Sequence, residues 1–246
     1  METGFWATWY DLDPADAAEH LDWLHADHLP QVSTRPDVAW VAHYRYVGGG
    51  AQMAEVKSRV VAHTDDDIGQ GTQYLMLVAA RTPHAFFAPR FDALPESAGS
   101  AARLAQRRGA RTAAFVQEAR VEGPASPGPS EPSPPAPAIQ MGTLRARSIE
   151  AEFDLIAWYA QYRLPSMARM RGCVRTRKLA CIAGWPGHGI LYEFESLAAR
   201  LEHFERGHES LALDQAHWTG RITRASWHAP GSPFIGERTW PAVSAG

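Results

Sequence analysis

The segment WLHADHLP at 23–30 returns as WYAQYRLP at 158–165, a constant offset of 135 positions. At the same offset Val38, in one run of β-forming residues, falls on Cys173 in another. Between the copies, residues 123–137 hold seven prolines in fifteen, a composition that makes an extended, semi-rigid tether. Such a chain is constrained to build one unit twice and join the copies by a spacer.

The order of elements follows from periodicity and punctuation. Phe5–Tyr10 is aromatic-rich and reads as a strand. Asp13, Pro14 and Asp16 form a helix start, and the helix is expected to stop near His28 because Pro30 removes a donor and restricts its predecessor. Strands are expected at 38–47, 73–80 and 111–121, with helix between 84 and 108 broken at Pro89 and Pro95. The second copy repeats the order: strand 139–147, a helix capped by Ser148, strands 173–182 and 189–194, helix 196–213, and a last strand at 221–228. Each copy reads β-α-β-β-α-β. The fold class is therefore α+β, with tandem ferredoxin-like modules at 1–122 and 139–229, a linker at 123–138 and a tail at 230–246. The first module carries an insertion at 48–72. The tail is too apolar for disorder and is expected to pack on the body; the tether is expected to be exposed.

Composition narrows the function. A net charge of −3 gives no basic excess with which to hold nucleic acid. No apolar run approaches the ~20 residues of a membrane span, and the N-terminal residues carry no signal-peptide pattern. The two cysteines, Cys173 and Cys181, lie eight apart on one expected strand and form no disulfide framework. The chain reads as cytoplasmic, with a small molecule as its partner.

A helical wheel places Ala17, Leu21, Leu24, His25 and His28 on one arc. The aligned arc of the second copy holds Phe153, Ile156, Tyr159, Ala160 and Arg163. Each arc is expected to face the sheet, with Trp23 and Trp158 opposite. His28 and His25 are thus candidate catalytic groups, since imidazole exchanges protons near neutrality; the alternative is that both are structural. Two histidines without a third ligand make no metal site. Trp40 and Tyr44 alternate onto one strand face, and Arg175 and Arg177 hold equivalent positions in the second copy. With Arg163, they are candidate substrate-binding residues for an aromatic or carboxylated molecule. His203 and His208, on or near the later helix, stand where a haem ligand could sit.

A β-α-β-β-α-β unit whose first helix ends in His-Leu-Pro or Arg-Leu-Pro resembles the EthD-like branch of the dimeric α+β barrel superfamily. The resemblance rests on 23–30, 158–165 and the strand order. It implies two units pairing their sheets into an intramolecular dimeric α+β barrel, with ligands between helices and sheet. It matches His28 to the family's helix-end histidine, which Arg163 replaces in the second copy. The superfamily includes polyketide cyclases, muconolactone isomerases, cofactor-free oxygenases and haem enzymes. The expected function is a cofactor-free isomerase, cyclase or lyase acting on a small aromatic or polyketide-like metabolite by acid–base chemistry. The alternatives are a haem-dependent enzyme using His203 or His208, and a non-catalytic binding protein. Fold alone does not choose among them, and a homo-oligomer stays open.

Overall fold

The computed structural model describes residues 2–91, 98–128 and 133–243. The break expected at Pro95 and the middle of the tether lie outside them. In the first half, β1 (Gly4–Asp11) leads to α1 (Ala17–Trp23), a π-helical segment at Leu24–His28, and α2 (Leu29–Ser33). Then follow β2 (Val38–Tyr46), α3 (Ala51–Arg59), β3 (Ala62–His63), β4 (Tyr74–Ala80), α4 (Ala98–Leu104) and β5 (Arg108–Glu122). The second half holds β6 (Ala138–Ala146), α5 (Ile149–Trp158), a π-helical segment at Tyr159–Arg163, α6 (Leu164–Met167), β7 (Cys173–Ala183) and β8 (His188–Phe194). A second helical stretch runs from α7 (Leu197–Ala199) through a π-helical segment at Arg200–Glu209, and α8 (Trp218–Arg224), β9 (Ser226–His228) and β10 (Phe234–Trp240) complete the chain.

Eight strands form a closed ring in the order β10-β2-β4-β1-β5-β7-β8-β6, with β6 returning to β10. This is the expected barrel of tandem ferredoxin-like units. One seam between the halves is direct, β5 against β7, with Arg120 opposite Arg177. The other is bridged by β10, which pairs Gly236 with Tyr46 on one side and with Ile139 on the other. The apolar tail thus packs back as a strand.

Strand alternation explains the three cores. On β1, Phe5, Ala7 and Trp9 point into the barrel with Trp40, Leu77, Phe115 and Leu191. Trp6 and Tyr10 point out, beneath the first-half helices with Leu24, Leu29 and Met76. The second half's helix layer packs Leu155, Trp158, Met167, Tyr192, Phe204 and Ile222.

Four expectations are corrected. The expected strand at 221–228 is mostly the helix α8, capped by the His217 ring, which accepts the Thr219 N–H at 3.1 Å; only β9 remains extended. The first helix does not stop at His28 but widens there and continues to Ser33. A proline ring inside an α-helix clashes with the carbonyl four residues back, and a π turn shifts that carbonyl away. Pro30 and Pro165 therefore each follow a π segment, and the two segments, 24–28 and 159–163, stand at the same offset of 135 as the sequence repeat. Phe153 does not face the sheet; it is 75% exposed, whereas Trp158 is buried. Finally, the end of the tether is not exposed: Ala136 is buried, Tyr44 Oη donates to the Pro135 and Ala136 carbonyls at 3.2 and 3.0 Å, and Arg238 N–H donates to Pro137 O at 2.8 Å.

The insertion belongs to the first half in sequence but packs on the second. Buried Glu205 accepts the Gly50 N–H at 2.9 Å and the Met53 N–H at 3.0 Å, fixing the start of α3, and β3 lies parallel to β9.

Candidate functional site

The π segment at Leu24–His28 turns His28 under the helix layer and stacks its ring on Trp23, with centroids 5.1 Å apart. His28 borders a cavity of about 200 Å³ between helices and sheet, walled by Trp6, Val32, Met76 and Phe91 and edged by Thr8, Thr112, Arg35 and Arg107. His28 Nδ1, His20 Nε2 and Arg107 Nε are buried without a hydrogen-bond partner. Buried polar atoms are rarely left so, and two of these three, on His28 and Arg107, border the cavity, where an incoming polar group would answer them.

Burial, reinforced by the Arg107 and Arg35 cations, pushes the His28 pKa down to about 4. At neutral pH it is an uncharged imidazole that can take a proton. Burial likewise lowers His25 and His20, and holds His43 well below the ordinary histidine range. Behind the cavity, Tyr10 Oη lies 2.8 Å from His43 Nε2, and His43 Nδ1 lies 3.1 Å from His25 Nε2 and 2.7 Å from Thr239 Oγ1. Arg107 covers the Tyr10 ring at 4.4 Å, and burial raises the Tyr10 hydroxyl to about 12. The layer thus combines neutral bases, a cation and an unionised phenol.

The structure separates the candidate residues of the sequence. His28 and His25 share the first-half helix layer, but His25 bonds to His43, not to His28. Trp40 and Tyr44 point into the barrel core, on the opposite face of the sheet from His28. Arg175 and Arg177 are buried in ion pairs: Arg177 with Glu2 at 2.7 Å and Glu193 at 3.1 Å, Arg175 with Glu122 at 3.1 Å and Glu193 at 3.6 Å. Their charges are answered within the protein, and none of these four residues edges the His28 cavity. Arg163 occupies the equivalent helix end in the second half, buried against Trp158 at 4.6 Å and Phe204 at 5.4 Å. His208 is half-buried beside Phe204 with Nδ1 unpaired, and burial together with Arg163 pushes it down to about 4. His203 is half-exposed. Sequence reasoning missed Arg107, His20 and Tyr10. Arg107 stands beside Arg108 at the mouth of β5, and no local pattern distinguishes the inward arginine from the outward one.

Among the described residues, no group of three or more His, Cys, Asp or Glu is arranged to hold a metal ion, and no helix is long and apolar enough to cross a membrane. No protein-family model matches the chain, and no curated protein sequence matches it. Solved structures do. A provisional monooxygenase from Fusobacterium nucleatum subsp. nucleatum aligns over 96% of this chain and 91% of its own at 7% identity, with a TM-score of 0.56. An anthrone oxidase-like protein aligns over 96% and 90% at 10% identity, with a TM-score of 0.56. A provisional chlorite dismutase aligns over 97% and 95% at 13% identity, with a TM-score of 0.50. At these identities the likeness is one of fold: the chain has the dimeric α+β barrel architecture found in monooxygenase- and chlorite dismutase-type proteins. Nothing in it singles out the EthD-like branch.

Proposed function

We propose that this protein is an enzyme that oxidises a small aromatic metabolite in the helix–sheet cavity of its first half, with His28 as the proton acceptor and Arg107 holding the resulting anion. The observation that carries this reading is the meeting of two unpaired groups, His28 Nδ1 and Arg107 Nε, at one cavity of about 200 Å³ walled by Trp6 and Phe91. The acid–base chemistry expected from the sequence is kept. The relatives' names, an oxidase, a monooxygenase and a dismutase, favour oxidation over isomerase, cyclase or lyase chemistry.

His28 takes a proton from a phenolic O–H or an activated C–H. The electron pair stays on the substrate, where Arg107 offsets its charge. That anion adds through a ring carbon to dioxygen, the oxidant this reading requires: a C–O bond forms, the electron pair reduces dioxygen to the peroxide level, and the proton returns from His28 to the terminal oxygen to give a hydroperoxide. The burial that keeps His28 neutral leaves it a weak base in the empty cavity; a phenolate formed beside it raises its pKa.

The same names weigh toward the haem alternative, for which the second half offers His208 and His203. The residues as placed do not fit that group. The second half's helix–sheet space is filled by Trp158, Tyr159, Tyr192 and Phe204, leaving about 60 Å³. Pockets for drug-sized ligands run to about 300–1,000 Å³, and a porphyrin needs a slot of that order. Neither His208 nor His203 borders the space that remains.

The test is oxygen uptake with a panel of hydroxylated one- to three-ring aromatics, alongside the absorption spectrum of the purified protein. Uptake that His28→Ala abolishes, and whose KM Arg107→Met raises, supports the reading. Turnover that survives His28→Ala removes His28. A Soret band in the protein as isolated restores the haem alternative.

A further inference from the structure

The buried arginines set a standard that one of them breaks. Arg177 donates from Nε to Glu193 at 3.1 Å, from Nη1 to Gln117 at 2.8 Å and from Nη2 to Glu2 at 2.7 Å. Arg200 donates from Nε and Nη2 to Gln140 Oε1 at 3.0 and 2.7 Å, and from Nη1 to Glu205. Arg163, 1% exposed, has Nε and Nη1 both buried and both without a partner. Two rings, Trp158 and Phe204, lie over its guanidinium, and the edge that carries Nη1 and Nη2 is left without an acceptor from the protein. A buried charge without an answering group is among the most costly arrangements in a protein, and the other buried arginines of the second half, Arg175, Arg177 and Arg200, each pair with a carboxylate.

The free edge belongs to a cavity. Arg163 borders about 60 Å³ with Trp158, Gln140, Glu209, Thr219 and His228. Two more of these, Trp158 Nε1 and Thr219 Oγ1, are buried without partners. Nη1 and Nη2, which share that edge, present an end-on fork of N–H groups that matches the two oxygens of a carboxylate. Glu209 borders the same cavity, with Oε1 taking the Gln140 Nε2 donor at 3.2 Å, and its second carboxylate oxygen offers an acceptor to a hydroxyl. Val56 and Val61 from the insertion and Ser232 and Pro233 from the tail complete the walls, so segments outside both repeats close the space.

We propose that the second half is a separate binding site for a small hydroxycarboxylate, whose carboxylate engages the free edge of Arg163 and whose hydroxyl faces Glu209. This site lies on the other half from the His28 cavity and does not depend on the reading given for it. The volume admits a molecule of a few heavy atoms, and glycolate is the natural probe.

The test compares glycolate, acetate and inorganic phosphate at fixed ionic strength and pH, reading the melting temperature of the full chain. Glycolate at about 100 times its Kd should raise Tm by roughly 5–10 °C, with acetate giving less. Arg163→Met should fold with an unliganded Tm at or above that of the parent, because it removes an unanswered charge, and should lose the response. His28→Ala should retain it. An equal response to phosphate would replace the carboxylate with a general oxyanion and overturn the assignment. If Arg163→Met fails to fold, a glycolate-soaked crystal of the parent decides: a carboxylate on the Arg163 edge supports the site, and water alone there refutes it.

Discussion

Glu205→Gln probes a fully buried ion pair of the second half. The parent carboxylate is fully buried, accepts two backbone N–H groups from the start of α3, and pairs with Arg200. Burial alone would raise its pKa; Arg200 and the Gly50 and Met53 amides outweigh that and leave it lowered. Glutamine keeps the shape but removes the charge and turns an NH2 group toward donors. Removing one member of a buried pair costs about 3–5 kcal/mol, against a total of ~5–15 kcal/mol for a typical domain. For a chain of this size that lowers Tm by roughly 6–20 °C. Calorimetry with urea unfolding measures the loss, and brief proteolysis should show new cleavage within 48–72 as α3 is released. Because the native pKa is depressed, the stabilisation is present above the unfolded pKa and is lost as pH falls through the native value. Replacing both partners, Glu205→Leu with Arg200→Met, should recover most of the loss. A Glu205→Gln protein within about 1 kcal/mol of the parent would refute the reasoning, since the pair would then behave as if solvated.

Further outcomes follow from the same geometry. His28→Ala leaves no partner unpaired, so it should cost only its packing on Trp23, ~1–2 kcal/mol, while turnover falls by ~10²–10⁴; kinetics and melting on one sample check both. His28, His208 and His228 are all depressed to about 4, so the unfolded chain binds protons before the native state does. Stability should fall as pH drops from about 6.5 to 4, and the fall should become shallower, without vanishing, when all three are replaced by glutamine, since burial also lowers His20, His25 and His43. A Cβ on Gly220 would collide with the Asp214 carbonyl oxygen, so Gly220→Ala should destabilise by about 1–3 kcal/mol, readable by urea denaturation.

The barrel was legible because its signals are local and repeated. The 135-residue offset, the Ser148 cap, which accepts the Ala151 N–H at 3.2 Å, and the alternation along β2 all carried through. The π segments were not legible: Pro30 and Pro165 announce a disturbance, and whether the helix stops or widens depends on what packs beyond. A wheel drawn at a constant angle then loses phase, and Trp158 turns inward. The sheet faces were equally hidden. Trp40, Tyr44, Arg175 and Arg177 were correctly placed together on strand faces, but alternation does not say which face closes into the barrel. Only the ring closure reveals that these four lie inside, away from His28. α8 misled because Ile222 and Thr223 favour strands, while the His217 cap and the burial of Ile222 in the helix layer favour a turn of helix.

The bridging strand β10 has a consequence for how the molecule comes into being. The outer edge of β2 finds its partner in β10, so synthesis must proceed nearly to Trp240 before that seam can shut. Until then the nascent chain carries two bare edges, β2 and β6, each able to recruit a strand from a neighbour. A chain folded only to that point would be an open sheet with one completed seam, and its unpaired edges would favour association. Dilution or a chaperone that shields strand edges should raise recovery of the folded protein, and crowded expression should divert it into linked, strand-exchanged species.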